Sequence, residues 1–574
     1  MYTDVITEIA RFKAGRIHVA RAGLATQARL CVDMLQQGRG MAWVVKNRDE
    51  LLTARALMRL FSPELSSGDF LPDAFDKGGW TSLPPFSPRS ANREGWTERL
   101  SALYALRSGQ AKGLILTADN LLPKLVPLDF FENREVTLIR GEDVSLDMIL
   151  EQAVGWGYER VSMVSNPGEI ARRGDILDIM PPGYDKPIRL DFFGDLIEEI
   201  RLFDPVSQRS KANLSEVRVL PVSPIRQSPA DQAKMQARWK SLFQKNMLTE
   251  NERFGLTRLQ EQGDFRLLPG CCYDTATNLE AWLPADTVWV LPGLSDFRDM
   301  LSSAERLWTE AFEAQDVEGR PQPQRLAMRE ASDVESACER FACVHAEPLV
   351  MGIAKGIHAL PERSLSSFED LFPSTAEQDR PWQTLVQALK RWQNDKRQTI
   401  LCFASEKSRT KFLNLASQDG LSPLLRYSGE QHGLFALVAP FRAGAELIWD
   451  QSLILGEDLL QPHAEKSRRV PTGAFKGLDR YDELKPGDLL VHRDYGIARF
   501  GGLLRMETGS TANDFLLLHY SGDDRLYVPV DRLSLIQRFK GGGEAQPSLD
   551  RLGGGAWQSG KEKARKAIEK TPKT

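Results

Sequence analysis

A chain of 574 residues is too long for one hydrophobic core, so its length predicts about three to five domains. An apolar content of 42% and a charged content of 26% are ordinary for a folded protein and exclude a largely disordered chain. The formal net charge of −4 gives no general attraction to nucleic acid, so any basic surface has to be local. No apolar run of about 18 residues and no secretory leader pattern occurs, which argues against membrane insertion and secretion.

The cysteines are typical of buried, reduced thiols in a cytosolic protein. No CxxC pair occurs, and the adjacent Cys271 and Cys272 are poorly spaced for a disulfide or a metal ion. The six are Cys31, Cys271, Cys272, Cys338, Cys343 and Cys402. We therefore expect no metal site, and no cofactor motif occurs elsewhere.

The first part of the chain, residues 1–117, is typical of an α/β domain. Helical apolar periodicity at Leu24–Leu35 and Leu51–Phe61 alternates with short apolar runs at Met41–Val45 and Gly113–Thr117 that predict parallel strands. Residues 209–345 return to the same mixture, with a buried strand predicted at Thr287–Leu291. A second α/β unit follows at 346–460, with strands predicted near Thr399–Ala404 and Leu447–Leu455.

A strand-rich module interrupts this pattern at residues 118–208, and its strands are entered through a helix predicted at Leu146–Gly157. The segment Glu169–Asp204 predicts three short strands, with reversals at Pro181–Gly183 and Gly194–Asp195. Alternation predicts one strand with two faces: Ile188, Leu190 and Phe192 inside, and Arg189, Asp191 and Phe193 outside. Arginine and aromatic side chains are enriched at protein–protein hot spots, so the outer face is predicted to bind another protein.

The last part of the chain predicts a linker, a small all-β domain and the start of a helix. Residues 461–484 are polar and rich in turn formers, as in a linker. Residues 485–545 carry short strands with tight turns, which predicts a Tudor- or SH3-like barrel. Residues 546–574 begin a basic helix that stops within a few turns, so a further domain is expected beyond it.

The α/β pattern invites a search for a phosphate loop, which needs the sequence G-x-x-x-x-G-K-[ST]. After the predicted strand Ile17–Ala20 the chain has RAGLATQARL, where Gly23 and Thr26 remain but no Lys-Ser/Thr pair follows. We interpret this as a degenerate nucleotide loop in which Gly23 packs against or caps a helix. No catalytic residue and no ATPase activity are predicted for these 574 residues.

The barrel offers a candidate edge strand at Leu503–Glu507, where Arg505, Met506 and Glu507 would contact a partner. The alternative is that Met506 fills the core and Arg505 is only solvated. The sequence does not choose between the two.

Two segments together resemble one known family. GYERVSMVSNPGEIARRGDILDIMPPG and PIRLDFFGDLIEEIRLFDPVSQRS resemble the UvrB-homology module of the bacterial transcription-repair coupling factors. KPGDLLVHRDYGIARFGGL with LYVPVDRLSLIQRF resembles the same family's CarD-related, RNA-polymerase-interacting domain. UvrB carries the first pattern and CarD regulators the second, so their order in one chain is what makes the resemblance specific.

The resemblance implies a UvrB-like α/β domain built from 1–117 and 209–345, with the module at 118–208 binding UvrA. The family's two arginines and phenylalanine correspond to Arg173, Arg189 and Phe193. An open alternative is that Arg189 only forms a surface salt bridge with Asp175 or Asp191.

The resemblance also implies partners and a role. The barrel would bind the β subunit of RNA polymerase through Arg505, Met506 and Glu507. A motor beyond Thr574 would be the ATP-dependent DNA translocase and would make most contacts with DNA. The expectation is a bacterial cytoplasmic adapter that binds stalled polymerase and recruits UvrA for nucleotide excision repair. The alternatives are a UvrB-like helicase or nuclease component, and a CarD-like regulator that binds DNA directly through the basic 561–574 segment.

Overall fold

The computed structural model describes most of the chain up to Leu460 and the strands that follow. The described residues are 2–11, 14–61, 79–88, 90–205, 208–347, 357–374, 379–427, 432–439, 441–460, 487–492, 496–508, 511–521, 524–529 and 536–538. They belong to two compact units, Met1–His463 and Ala464–Thr574. The predicted linker (461–484) and the whole of the predicted C-terminal helix segment (546–574) lie outside the described residues.

The strands, in chain order, are β1 (Gly15–Ala20), β2 (Met41–Val45), β3 (Trp80–Leu83), β4 (Gly113–Thr117), β5 (Val136–Ile139), β6 (Glu159–Arg160), β7 (Glu169–Arg173), β8 (Ile176–Ile179), β9 (Ile188–Phe193), β10 (Leu196–Phe203), β11 (Ser210–Leu214), β12 (Glu216–Val219), β13 (Val288–Pro292), β14 (Ala342–Glu347), β15 (Ile357–Ala359), β16 (Glu362–Leu365), β17 (Gln398–Phe403), β18 (Leu434–Val438), β19 (Gly444–Leu447), β20 (Ser452–Gly456), β21 (Leu489–His492), β22 (Gly496–Thr508), β23 (Thr511–His519), β24 (Arg525–Pro529) and β25 (Ile536–Arg538).

The helices are α1 (Tyr2–Arg11), α2 (Leu24–Gln36), α3 (Arg48–Phe61), α4 (Arg93–Arg107), α5 (Leu146–Gly155), α6 (Pro229–Gln244), α7 (Glu250–Glu261), α8 (Pro269–Cys272), α9 (Leu294–Val317), α10 (Gln324–Ala327), α11 (Ala331–Cys338), α12 (Phe368–Leu371), α13 (Pro381–Asn394) and α14 (Glu406–Gln418). Within the described ranges, short 3-10 helices lie at Ala118–Leu121, Leu279–Trp282 and Glu457–Leu459.

The N-terminal α/β sheet is parallel, as its continuous apolar strands predict. Its seven strands follow the order β15-β1-β14-β13-β2-β4-β3. Strands β2, β4, β13 and β14 are almost completely buried, because helices cover both faces of a parallel sheet. The sheet takes four strands from the first part of the chain and three from beyond residue 287, so it is assembled from distant segments.

The strand-rich module forms a separate six-stranded sheet of order β11-β10-β9-β8-β7-β6, with β5 and β12 paired beside it. Helix α5 and the inner side chains of this sheet share one apolar core. The prediction of three strands over Glu169–Asp204 is wrong, because four strands occur there. The missed reversal is the turn between β7 and β8, where Gly174 adopts a φ of +62°.

The second α/β unit contains a mixed five-stranded sheet of order β16-β19-β20-β17-β18. The single strand predicted at Leu447–Leu455 is wrong. The chain reverses after Leu447, and β19 and β20 pair in antiparallel fashion. The reversal includes Gln451 at a φ of +54°, a conformation that the apolar pattern alone does not indicate. Residues Ile400 and Phe435 of this unit share a core with Val19 and Trp43 of the first sheet.

Unit Ala464–Thr574 contains an antiparallel sheet of order β24-β23-β22-β21-β25 over its described residues. Its core includes Leu490, Phe500, Leu516 and Leu518. Strand β22 reaches Thr508, and β23 begins at Thr511. Within 487–538, no pairing between the described residues of β24 and β25 closes the sheet.

The protein is thus a multidomain α/β protein with several sheets. All six cysteines are buried and unpaired, and burial raises the pKa of the Cys271 thiol to about 12. Among the described residues, no helix is both long and apolar enough to span a bilayer. The same part of the chain holds no cluster of three or more acidic, histidine or cysteine side chains suited to a metal ion.

Candidate protein-binding face and degenerate phosphate loop

Strand β9 has the two faces that its alternation predicts. Ile188, Leu190 and Phe192 are buried in the core of the module. Arg189 and Asp191 are half-buried on the opposite side, and the Phe193 side chain is 74% exposed. A phenyl ring held in water on a regular strand gains nothing for folding there, so it is free to contribute its apolar area to a partner.

The sheet register places Arg173 on the same outer face. Arg173 of β7 pairs with Ile176 of β8, and Ile176 pairs with Asp191 of β9. Residues directly opposite each other in antiparallel strands point to the same side of a sheet. Arg173 therefore shares a face with Asp191 and hence with Arg189 and Phe193, so the structure brings all three predicted residues together.

Arg173 is exposed and loosely held. Its Nε and Nη2 atoms donate to the backbone oxygen of Ser162 at 3.2 and 2.8 Å. These bonds hold one edge of the guanidinium at the surface of the module, while the residue as a whole remains exposed. Met163, which follows the acceptor residue Ser162 in the chain, is half exposed.

Arg189 differs from the expectation of a fully exposed arginine, because only 18% of its side chain is exposed. Its Nε donates to Oδ1 of Asp178 at 2.7 Å and its Nη2 to Oδ2 at 2.8 Å. Nη2 also donates to Oε1 of Gln208 at 2.9 Å, and the guanidinium lies 4.4 Å above the Phe203 ring. The hydrogen bonds to Asp178 raise the pKa of Arg189 above its ordinary value.

The ion-pair partner of Arg189 is neither of the two carboxylates that the sequence suggests. Asp191 pairs instead with Arg201 of the neighbouring strand. The true partner, Asp178, is fully buried on β8 directly opposite Arg189. Sequence reasoning missed it, although a carboxylate inside the apolar run ILDI is a signal that a cation lies across the sheet.

The predicted polymerase contact lies on strand β22. Arg505, Met506 and Glu507 pair with Asp514, Asn513 and Ala512 of β23. Among the described residues, strand β21 pairs with β22 from Gly496 to Arg499 and with β25 on its other side. Over the described residues, the segment 503–507 therefore has one strand neighbour and one edge without a described partner.

The segment predicted to be a degenerate phosphate loop leads into α2, which begins at Leu24 with Gly23 as its N-terminal cap. The carboxylate of Glu362 lies at this helix end. Its Oε2 accepts from the Thr26 amide at 2.7 Å and its Oε1 accepts from the Ala25 amide at 3.3 Å. Amides at the start of a helix are where phosphates bind in nucleotide loops, so a carboxylate of the chain itself occupies that position.

Gly23 leaves open the space that the Glu362 carboxylate occupies. A Cβ atom at this position would lie 2.4 Å from the Cδ and Oε1 atoms of Glu362. Thr26 is completely buried, and its hydroxyl accepts from the Trp449 indole Nε1 at 3.0 Å. Trp449 in turn stacks on Tyr2, with ring centroids 4.1 Å apart. Gly23 and Thr26 therefore contact the second α/β unit.

A second carboxylate lies at the same edge of the sheet. Oε1 of Glu347, the last residue of β14, lies 3.4 Å from the Leu294 amide that begins α9. The same oxygen is 3.2 Å from Nδ1 of His18. Both helix ends are thus occupied by acidic side chains of the protein.

Burial raises the pKa of Glu362, although the Thr26 amide partly opposes this effect. The folded protein then retains a proton that the unfolded chain has lost, so this group favours folding at low pH and less so as pH rises through its folded pKa. Relative to the wild type, Glu362→Gln is expected to gain stability as pH rises above about 4.5, because its amide does not titrate. Thermal unfolding of both proteins across this range measures the difference, and parallel pH profiles would contradict the prediction.

Two family models match this chain, one over the module that carries the outer face and one over the C-terminal sheet. A family model described as the UvrB interaction domain matches residues 136–224. Another, the CarD-like/TRCF RID domain, matches residues 484–540. The first contains all of the outer face, and the second contains strands β21 to β25.

Curated relatives match most of the chain. A transcription-repair-coupling factor of Myxococcus xanthus is 29% identical over 530 residues, which cover 85% of this chain and 42% of the relative. That of Escherichia coli (strain K12) is 28% identical over 521 residues, covering 85% of this chain and 43% of the relative. That of Staphylococcus aureus (strain MSSA476) is 25% identical over 494 residues, covering 82% and 41%. These findings confirm the resemblance, and the chain spans about two fifths of the length of the relatives that it matches.

Proposed function

We propose, for a chain similar over most of its length to the transcription-repair-coupling factors, that it is the adapter part of such a factor. It would bind RNA polymerase stalled at a DNA lesion and recruit UvrA to begin nucleotide excision repair in the bacterial cytoplasm. The observation that carries this proposal is the outer face formed by Arg173, Arg189 and Phe193 within the UvrB interaction domain.

The face has the composition of a protein-binding hot spot. Phe193 offers an exposed aromatic ring, and the two arginines offer charged donors on the same face, where the carboxylate of Asp191 is paired with Arg201. Aromatic and arginine side chains dominate the binding energy of many interfaces, and truncating one typically costs about 2 kcal/mol or more. We propose UvrA as the partner of this face.

For the C-terminal unit, we propose that residues 485–545 close into a small Tudor- or SH3-like barrel. The segment Leu503–Glu507 would present its open edge to the β subunit of RNA polymerase. Support comes from the pairing of β21, which ends at Arg499 and leaves 503–507 paired only with β23 among the described strands. Edge pairing draws its affinity from backbone groups, so it suits a strand with a free side.

The proposed division of the chain follows the sequence analysis. The UvrB-like domain comprises 1–117 and 209–345, the UvrA-binding module 118–208, and the second α/β domain 346–460. We propose that none of these parts hydrolyses ATP, because Glu362 occupies the end of α2 where phosphate would bind. ATP-dependent translocation and most DNA contacts would belong to the rest of a full-length factor.

The test is binding of the purified 574-residue chain to UvrA and, separately, to RNA polymerase, each measured by interferometry without nucleotide. We expect saturable binding of both. We expect no binding of ATP at micromolar concentration in the same chain. Failure to retain UvrA would refute the UvrA part of the adapter function. Micromolar ATP binding would instead favour the UvrB-like enzyme, and tight, salt-dependent binding of DNA alone would favour the CarD-like regulator.

A further inference from the structure

We propose that Asp178 is a positioning residue that fixes Arg189 so that only its Nη1 edge faces a partner. This inference rests on the proposed function, since it concerns the same outer face. It adds residues to which neither the sequence nor the comparisons give a role. It also defines the chemistry that the partner has to supply.

The first step is the paired geometry of Asp178 and Arg189. Both oxygens of the buried carboxylate accept from one edge of the guanidinium, formed by Nε and Nη2, at 2.7 and 2.8 Å. A buried carboxylate is costly unless it is paired and hydrogen-bonded, so Asp178 retains this arginine strongly. The two residues are also directly opposed in the strand register, which fixes the approach of the side chain.

The second step is the support on the remaining sides. Nε2 of Gln208 donates to the Pro205 oxygen at 2.8 Å. This bond orients the amide so that its Oε1 faces Nη2 of Arg189. The backbone of Gln208 lies in the left-handed region, with a φ of +58°. The buried Phe203 ring lies beneath the guanidinium at 4.4 Å.

The third step concerns Nη1, the remaining nitrogen of the Arg189 guanidinium. Within the described residues, Nη1 has no hydrogen-bond partner, although it carries two N–H groups. Phe193 lies four residues further along the same strand and on the same face, which places it about 13 Å from Arg189. The ion pair with Arg201 offsets the negative charge of Asp191 between them.

The geometry therefore assigns the partner a specific chemistry. It has to offer a carboxylate or carbonyl oxygen to Nη1 and, about 13 Å away, an apolar pocket for the Phe193 ring. Because Arg189 is already ordered, binding loses little of the rotamer freedom that an exposed arginine loses. A substitution that removes a support of Arg189 but keeps the arginine should then weaken binding of the partner.

The experiment is a double-mutant cycle on purified UvrA binding with Asp178→Asn and Arg189→Met. We expect Asp178→Asn to weaken binding about tenfold in the wild-type background and less than about twofold in the Arg189→Met background, because Asp178 acts only through Arg189. Gln208→Ala, which removes one support at the rim of the module, is expected to weaken binding about threefold. Circular dichroism and thermal unfolding establish which variants are folded.

The outcomes separate this inference from the proposed function. If the wild type does not bind UvrA, the proposed function itself is refuted. If the wild type binds and Arg189→Met weakens binding while folded Asp178→Asn does not, only the positioning role is refuted. An equal effect of Asp178→Asn in both backgrounds also refutes it, because a general structural defect does not depend on Arg189. Should Asp178→Asn fail to fold, Gln208→Ala decides, and unchanged binding in that variant overturns the proposal.

Discussion

Replacing Phe193 with alanine is expected to weaken binding of UvrA about thirtyfold while leaving the stability of the protein unchanged. The ring is 74% exposed, so its removal takes no apolar area out of the core. Surface substitutions of this kind usually change stability by less than about 0.5 kcal/mol. Interferometry with purified UvrA measures the affinity, and thermal unfolding of the same preparation measures the stability.

The chain offers a matched control for each part of this result. Phe254 of α7 is a similarly exposed phenylalanine, at 64%, but lies outside the strand-rich module. Phe254→Ala should leave UvrA binding unchanged. Arg172 is adjacent to Arg173 on β7 but points to the other side of the sheet and pairs with Asp147, so Arg172→Ala serves as the control for charge. Equal losses from Phe193→Ala and Phe254→Ala would contradict a specific role for the outer face.

Phe193 is a cleaner probe of this face than Arg189. Truncation of Arg189 would leave the buried Asp178 carboxylate without its cation, and breaking a buried pair from one side typically costs about 3–5 kcal/mol. Loss of binding by an Arg189→Ala variant would then mix a lost contact with a destabilised module. The half-buried position of Arg189 therefore changes how its substitution has to be interpreted.

Local patterns in the sequence were sufficient for one part of this face. The alternation from Ile188 to Phe193 correctly predicts which side chains are buried, because strand periodicity depends only on neighbours in the chain. The partner of Arg189 depends on register between strands, which local alternation does not contain. The sequence therefore suggests Asp175 or Asp191 as the partner, whereas the register selects Asp178.

The nucleotide loop illustrates the same limit at longer range. The missing Lys-Ser/Thr pair is visible in the sequence after Gly23. What occupies the helix end is not visible, because Glu362 lies more than three hundred residues away and reaches α2 only through tertiary packing. The same applies to Trp449, whose indole reaches Thr26 from the turn between β19 and β20, which the sequence predicts as continuous strand.

Replacing Glu362 with alanine is expected to destabilise the start of α2 by about 1–3 kcal/mol, because the Ala25 and Thr26 amides lose their acceptor in a buried place. Gly23→Ala is expected to destabilise the start of α2 by a similar amount. Here the added methyl group would overlap the Glu362 carboxylate and crowd the helix end. Hydrogen exchange of peptides covering α2 measures both local effects without assuming that the whole chain unfolds in one step.

The two substitutions are expected to compensate each other in part. In the double variant, the methyl group introduced by Gly23→Ala enters the space that the carboxylate has left, so the combined loss should be smaller than the sum of the single losses by about 1 kcal/mol. Strict additivity would show that Gly23 and Glu362 do not compete for one position. None of the variants is expected to bind ATP, because opening the helix end restores no lysine to hold the phosphates. On this hypothesis, the occupied helix end and the missing lysine are separate obstacles to nucleotide binding, and removing the first leaves the second in place.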